Sequence, residues 1–181
     1  MDKLLFRIRL LLSTIVLLVF SALFGLVALH IGLIQHKPNN LVWKPKSITT
    51  DLEGEEKASL IKLGYDVITR TPELIGPLAE KEEMQFAGNN LTCQSCHLEA
   101  GTKPGSGSFV GVYNRFPQYR GREDKMGTLE ERIDGCMERS MNGQKLPHNT
   151  LEMKGMIAYM KWLSEDVPEE KLAEYKGYVA I

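Results

Sequence analysis

Cysteine is scarce in this sequence, and positive and negative charges are nearly balanced. Only 3 cysteines occur among 181 residues, and the formal net charge at pH 7 is -1. Without a strong basic excess, we expect no nucleic-acid partner. The sequence also contains no internal repeat and no convincing pair of strands. Once one long apolar segment is set aside, the remaining length suffices for about one domain.

That apolar segment, residues 10–34, lacks aspartate, glutamate, lysine and arginine altogether. About 20 apolar residues in a helix span a bilayer core, so the segment is long enough to cross a membrane. It exceeds the apolar region of a cleaved signal peptide, and no small-residue cleavage site follows it. We therefore predict an uncleaved transmembrane signal-anchor in a bacterial inner membrane.

Basic residues before the anchor predict its orientation. Lys3, Arg7 and Arg9 precede the apolar segment, and such residues stay on the cytoplasmic side of a membrane. Residues 1–9 are therefore expected in the cytoplasm, and the haem domain that follows the anchor in the periplasm or otherwise on the outer side of the membrane.

The remainder of the chain divides by composition into a linker, a domain and a tail. Proline and asparagine interrupt residues 35–54, which predicts a linker. Trp43 in this linker is expected either at the membrane interface or packed against protein. Residues 55–167 are expected to form the folded domain, and residues 168–181 a C-terminal tail.

Three helices are predicted in this domain, over residues 55–70, 128–141 and 150–164. The first and third carry apolar residues at helical spacing. The second opens with Thr128 and Glu131, which have the spacing of a capping box. A stretch rich in glycine, proline and serine, residues 101–127, is predicted to be a loop. We therefore expect an all-α domain.

Residues 93–97 read Cys-Gln-Ser-Cys-His, the C-x-x-C-H pattern of covalent c-type haem attachment. Cys93 and Cys96 are predicted to bind one haem c through thioethers, and His97 to hold the iron from one face. A thioredoxin-like redox pair would need a βαβ context that the sequence lacks. A zinc site would need a second pair of ligands, and only one other cysteine exists, 40 residues further on.

The order of these features is that of a class I cytochrome c. An early helix, the haem motif, a long loop and a final helix follow one another, and in that fold the first and last helices cross beside the haem. Gly64 and Tyr65 on the first helix, with Tyr159 and Trp162 on the last, resemble the residues of that crossing.

Several residues are candidates for the sixth iron ligand. Electron-transfer cytochromes commonly use methionine opposite histidine, and the methionines at suitable sequence distances are Met126, Met137 and Met141. Cys136 competes with them. On a helix, residues four apart share a face, which aligns Arg132, Cys136 and Ser140. A nearby cation favours the thiolate, which is both an iron ligand and a sulfur nucleophile; the alternative is a small buried cysteine.

Residues 90–147 resemble the catalytic haem domain of the two-haem thiosulfate dehydrogenases, and more distantly the haem-bearing A subunit of the sulfur-oxidising complex. The segments CHLEAG, FPQYRGR, TLEERI and SMNG carry the resemblance. It implies His97 as the proximal and Cys136 as the distal iron ligand. It also implies that Arg132 and Ser140 contact a small sulfur oxyanion, and that Cys136 leaves the iron to carry a sulfur adduct. Arg120 and Arg122 are candidates for haem propionates or substrate.

The function implied by the resemblance is a membrane-anchored, single-haem enzyme that interconverts thiosulfate and tetrathionate. The two-haem enzymes carry a second C-x-x-C-H domain, whereas this sequence has one such motif. A partner cytochrome or a membrane redox complex would therefore take the electrons. One alternative is a non-catalytic electron-transfer cytochrome c, either alone or as a subunit of a larger membrane redox complex. Another is a haem-based sensing module.

Overall fold

The computed structural model describes residues 2–30 and 42–178. These residues fall into two units, the second of which begins at Trp43. The end of the predicted anchor, residues 31–34, and the first part of the predicted linker, residues 35–41, lie outside the described residues.

The described part of the first unit includes helix α1, from Asp2 to His30. Between Lys3 and Ala28 it is long and apolar enough to cross a membrane, by length and composition. Three hydroxyl side chains interrupt its apolar surface, and each donates a hydrogen bond to a carbonyl three residues earlier, at 2.8 or 2.9 Å. They are Ser13, Thr14 and Ser21. Their polar groups are therefore satisfied within the helix itself.

The second unit is rich in helix. Its α-helices are α2 (Ala58–Thr69), α3 (Thr71–Ile75), α4 (Leu129–Arg139), α5 (Leu151–Trp162) and α6 (Glu169–Leu172). Short 3-10 turns occur at Glu82–Met84, Cys93–Ser95, Glu99–Gly101 and Tyr113–Arg115. The three long helices lie within the predicted ranges, and the helix-rich part of the predicted fold class is confirmed.

The expectation of no strand pair in an all-α domain was wrong. Strands β1 (Gln118–Arg120) and β2 (Lys125–Gly127) form an antiparallel hairpin inside the predicted loop. Each strand has only 3 residues, too few for an alternating apolar pattern to stand out. The hairpin is held by polar contacts of Arg120 and Lys125 with Glu131 on α4. The sequence pattern does not reveal these contacts.

Helix α4 begins as the capping pattern predicts. The Glu131 amide donates to the Thr128 hydroxyl at 3.3 Å, and the Thr128 amide donates to the Glu131 carboxylate at 3.0 Å. Two of the amide groups that a helix start leaves without partners are thus satisfied. This fixes the start of the helix that carries Cys136.

Helices α2 and α5 cross at two glycines. A Cβ atom added to Gly64 would lie 2.0 Å from the Gly155 carbonyl oxygen, so the two backbones are in direct contact. Beside this point the rings of Tyr65 and Tyr159 meet edge to face, with centroids 5.8 Å apart. The predicted crossing is therefore present, and Gly155 completes it from the α5 side.

Residues on both sides of the predicted domain pack against it. The Lys46 ammonium pairs with Glu165 at 2.8 Å and with Glu55 at 3.7 Å. The rings of Trp43 and Tyr175 are in edge-to-face contact, with centroids 5.7 Å apart. The end of the predicted linker and the first part of the predicted tail are thus joined to the folded unit.

Candidate active site

The C-x-x-C-H motif forms a single capped turn. The Thr92 amide donates to the Ser95 hydroxyl at 3.2 Å, and the His97 amide donates to the Cys93 carbonyl at 3.0 Å. All three cysteines are free of disulfide bonds. Cys93 and Cys96 are therefore available for thioether formation at one turn of the chain.

Thr71 anchors this turn to the core, a role that sequence reasoning missed. Its side chain is fully buried at the start of α3. Its hydroxyl accepts a hydrogen bond from the Cys93 amide at 3.0 Å and lies 3.4 Å from the Cys93 sulfur. Burial raises the pKa of the Cys93 thiol, and the Thr71 contact opposes that rise. The only sequence signal is a threonine directly before Pro72, which is too common to identify such an anchor.

The His97 ring is fixed by a carbonyl and an aromatic ring. Its Nδ1 lies 2.5 Å from the Gly107 carbonyl oxygen, and its ring lies 4.6 Å from that of Phe109, centroid to centroid. A proton donated from Nδ1 to this carbonyl leaves Nε2 free as a metal ligand. The donor set and its orientation therefore fit a haem iron.

The electrostatic environment of His97 includes Arg132. Burial lowers the pKa of His97, the hydrogen bond to Gly107 acts in the opposite direction, and the Arg132 charge lowers that pKa further. A group that remains neutral is suited to ligate metal. The charge of Arg132 on α4 therefore affects the protonation of His97 in the haem motif.

The predicted stripe is present on α4. The Arg132 guanidinium Nη1 lies 3.6 Å from the Cys136 sulfur. Arg132 and Ser140 are exposed and Cys136 is half-buried, so the three residues meet solvent along one side of the helix. Ser140 is the residue at which the helix ends. The cation thus lies next to a free thiol that a small anion can reach.

The methionine candidates are placed differently. Met137 and Met141 are in the apolar core, 2% and 5% exposed. Met126 lies on β2 and is 58% exposed. Burial is the main cause that raises the pKa of Cys93, and the charge of Cys136 raises it further.

The carboxyl end of α4 is joined to the segment just before the haem motif. The Gly88 amide donates to the Met141 carbonyl at 2.8 Å, and the Asn89 side chain donates to the Ser140 carbonyl at 3.1 Å. A Cβ on Gly88 would lie 1.9 Å from the Asn142 carbonyl oxygen, so only glycine allows this approach. The contacts set the position of Cys136 relative to Cys93.

The hairpin holds the amino end of α4. The Arg120 guanidinium donates to the Glu131 carbonyl at 3.1 Å and pairs with Glu123 at 2.9 Å. Lys125 pairs with Glu131 at 2.6 Å. Arg120 is thus held by protein groups, whereas Arg122 is exposed. Binding of a haem propionate or substrate by either arginine stays a prediction.

Tyr178 is a further residue near the site that sequence reasoning missed. Burial raises the pKa of Tyr178, the charges of Cys96 and Cys136 raise it further, and Arg132 lowers it. Its phenol oxygen would lie 2.5 Å from a Cβ added to Gly107. No motif surrounds Tyr178, so the sequence offers no signal for this placement.

The crossing of α2 and α5, the C-x-x-C-H turn and the contact of the half-buried His97 with the Gly107 carbonyl are those of a cytochrome c domain. Residues 83–168 match the family described as SoxA/TsdA, cytochrome c domain. These residues therefore belong to a SoxA/TsdA cytochrome c domain, and the predicted resemblance to thiosulfate dehydrogenases is confirmed. A domain of this kind binds haem c covalently.

The similar proteins are longer than this chain. The thiosulfate dehydrogenase of Thiomonas intermedia (strain K12) is 32% identical over 134 residues, which are 74% of this chain and 39% of that protein. The thiosulfate dehydrogenase of Allochromatium vinosum is 47% identical over 87 residues, 46% of this chain and 32% of that protein. The chain thus spans about a third of the length of the curated relatives that it matches.

A solved structure shows the same fold. The thiosulfate dehydrogenase (TsdBA) from Marichromatium purpuratum, in its as-isolated form, superposes with a TM-score of 0.61 at 25% sequence identity. The match covers 73% of this chain and 28% of that one.

Proposed function

We propose that this protein is a membrane-anchored, single-haem c-type cytochrome that interconverts thiosulfate and tetrathionate. The observation that carries the proposal is the pairing of Arg132 with Cys136 at 3.6 Å. In a SoxA/TsdA cytochrome c domain, a free thiol beside an exposed guanidinium suits a small sulfur anion.

Four residues of the described chain would hold the haem. Cys93 and Cys96 would form the two thioethers, His97 would bind the iron through Nε2, and Cys136 would be the second protein ligand of the iron. The hydrogen bond from His97 Nδ1 to the Gly107 carbonyl supports the first iron ligand. The core position of Met137 and Met141 supports Cys136 as the second. When bound, the haem accepts electrons one at a time.

The side chains on α4 would carry out the sulfur chemistry. In the oxidative direction, the outer sulfur of one thiosulfate forms an S–S bond with the Cys136 sulfur as two electrons leave. A second thiosulfate attacks that outer sulfur, the bond to Cys136 breaks, and tetrathionate departs with the thiolate restored. Arg132 binds the sulfonate by charge-assisted hydrogen bonds, and the Ser140 hydroxyl donates to substrate oxygens.

The two electrons released per tetrathionate need an acceptor outside this domain. One haem stores one electron, so a partner cytochrome or a membrane redox complex would accept them in succession.

The direct test is turnover by the purified full chain. Given thiosulfate and an artificial one-electron acceptor, we expect two acceptor molecules reduced per tetrathionate formed. The haem absorption spectrum should also respond to thiosulfate or tetrathionate. A chain that exchanges electrons but gives neither turnover nor a spectral response would be the alternative, a non-catalytic electron-transfer cytochrome.

Replacement of Arg132 by glutamine should lower kcat/KM for thiosulfate about 10- to 100-fold, because a charge-assisted hydrogen bond contributes about 1.5–3 kcal/mol. Arg132→Lys should restore part of this loss, since it keeps the charge without the planar fork. Steady-state kinetics measure both. Lys154→Gln removes one exposed positive charge from α5 and is the matched control; an equal loss in this variant would show that general charge, not the site, matters.

We also propose that α1 anchors the protein, with Lys3, Arg7 and Arg9 on the cytoplasmic side. The internal hydrogen bonds of its hydroxyl side chains support this, because a bilayer core offers polar groups no water. The full chain should sediment with membranes and resist extraction by high salt and alkali. A chain starting at residue 42 behind a cleavable export signal should be released as a soluble periplasmic protein; recovery of the full chain in the soluble fraction would contradict the anchor.

A further inference from the structure

The segment from Tyr175 to Tyr178 lies across the loop that contacts the proximal histidine. The Gly107 amide donates to the Gly177 carbonyl at 2.8 Å, and Ser106 and Tyr178 form an isolated antiparallel bridge. We propose that this segment is a positioning element for His97, acting through Gly107. The proposal rests on the proposed ligation of the haem by His97 and goes beyond the sulfur chemistry.

Gly107 links the segment to the imidazole through its own backbone. Its amide bonds to Gly177, and its carbonyl oxygen lies 2.5 Å from His97 Nδ1. Both contacts are made by the peptide units on either side of one α-carbon. Because they restrain the two sides of Gly107 together, movement of Gly177 changes the direction of the carbonyl that faces His97.

After Gly107 the loop is held to Gly101, whose carbonyl accepts a hydrogen bond from the Phe109 amide at 2.8 Å, whereas glycines surround Gly107 itself. Gly107 has a φ of +62°, a conformation that favours glycine, and Gly105 and Gly111 also have positive φ. Glycine contributes no side chain to hold such a loop and has more backbone freedom than other residues. The Ser106 hydroxyl donates to the Lys103 carbonyl at 2.8 Å, a contact within the loop itself. The hydrogen bond that the Gly107 amide donates to the Gly177 carbonyl therefore adds a restraint on the amino-terminal side of Gly107.

The segment itself is held at both ends. Tyr175 is 6% exposed and packs edge to face on Trp43. At the other end, the Tyr178 ring lies over Gly107, where an added Cβ would be 2.5 Å from the phenol oxygen. Tyr178 is 64% exposed, so it covers the loop from outside. Trp43 thereby connects the start of the folded unit to the haem loop.

The physical consequence concerns the electron affinity of the haem. A hydrogen bond accepted from Nδ1 increases the basicity of a ligating imidazole, and a more basic ligand favours the oxidised iron. Loosening the Gly107 carbonyl should therefore raise the reduction potential. In the part of the chain that the structure describes, no hydrogen bond or ion pair joins α4 to this segment, so the proposed ligand role of Cys136 should persist.

Two truncated chains test the proposal, one ending at Tyr178 and one at Lys176, so that they differ only in Gly177 and Tyr178. We expect the shorter chain to have a higher midpoint potential in a spectroelectrochemical titration. Amide exchange at Gly107 should be more than tenfold faster, because its hydrogen-bond acceptor is gone. Equal potentials and equal exchange rates in the two chains would overturn the proposal.

If the shorter truncated chain fails to fold, point variants of the full chain test whether the segment positions His97. Tyr178→Ala should raise the potential and speed Gly107 exchange, whereas Tyr178→Phe, which keeps the ring, should match the unmodified chain. An unchanged Tyr178→Ala variant would overturn the proposal. Failure of the proposed function is distinguishable, because it would appear in the full chain as a haem spectrum that does not depend on Cys136.

Discussion

Replacement of Cys136 by alanine is expected to abolish tetrathionate formation and to change the haem absorption spectrum. The sulfur is proposed both as an iron ligand and as the atom that carries the thiosulfate adduct, so its loss removes two functions at once. Removal of a covalent nucleophile typically lowers turnover by at least about 1,000-fold. Product formation and the visible and low-temperature magnetic spectra of the oxidised protein measure the two effects separately.

Met137→Leu is the matched control for this variant. Met137 is adjacent to Cys136 on α4 and buried in the core, and exchange of leucine for methionine generally costs less than about 1.5 kcal/mol. We expect an unchanged spectrum and nearly full turnover from Met137→Leu. Retained turnover together with an unchanged spectrum in Cys136→Ala would rule out Cys136 in both roles, and a spectral change in Met137→Leu would favour the electron-carrier alternative.

Replacement of Gly64 by alanine is expected to produce a large loss of stability in the domain. The new Cβ would lie 2.0 Å from the Gly155 carbonyl oxygen. The position of this Cβ is fixed by the α2 backbone, and the oxygen belongs to the α5 backbone. Neither atom can move by a change of rotamer, so α2 and α5 must separate. Overpacking of a well-packed core costs about 1–3 kcal/mol and occasionally more; we expect about 3 kcal/mol here. Thermal unfolding should then show a Tm lower by roughly 10 °C.

Two further glycine variants control for this effect. Gly121→Ala adds the same atom at a site whose nearest neighbour is 4.0 Å away, and the Tm should change little. Gly155→Ala places its Cβ 2.9 Å from the Gly64 amide nitrogen, so we expect destabilisation smaller than that of Gly64→Ala. Equal Tm values for Gly64→Ala and Gly121→Ala would show that the helices do not meet through their backbones.

The local sequence predicts much of the chemistry because the relevant residues are close along the chain. The C-x-x-C-H motif spans five residues, and the capping pair Thr128 and Glu131 spans one helical turn. Arg132 and Cys136 are four residues apart, so helical geometry alone places them side by side, and their 3.6 Å separation agrees with that expectation. Their proposed roles as substrate-binding residue and sulfur carrier stay predictions.

Contacts between distant segments could not be predicted in this way. Thr71 reaches Cys93 across 22 residues, and Arg120 reaches the Glu131 carbonyl from a hairpin too short to show a strand pattern. Neither residue type is distinctive at its position, since buried threonines and surface arginines are common. The role of each depends on what the fold places beside it.

The sequence by itself therefore determined the haem motif, the helix that carries Cys136, and the apolar segment that precedes the domain. These depend on short-range spacing, which the geometry of a helix or turn converts directly into a shared face. Only the tertiary structure decided that Gly155 meets Gly64, that Gly107 faces His97, and that Tyr178 covers Gly107. Each of these contacts joins residues at least 10 positions apart in the chain, and no regular helix or turn geometry brings residues at such separations together; their close approach depends on the packing of the whole unit.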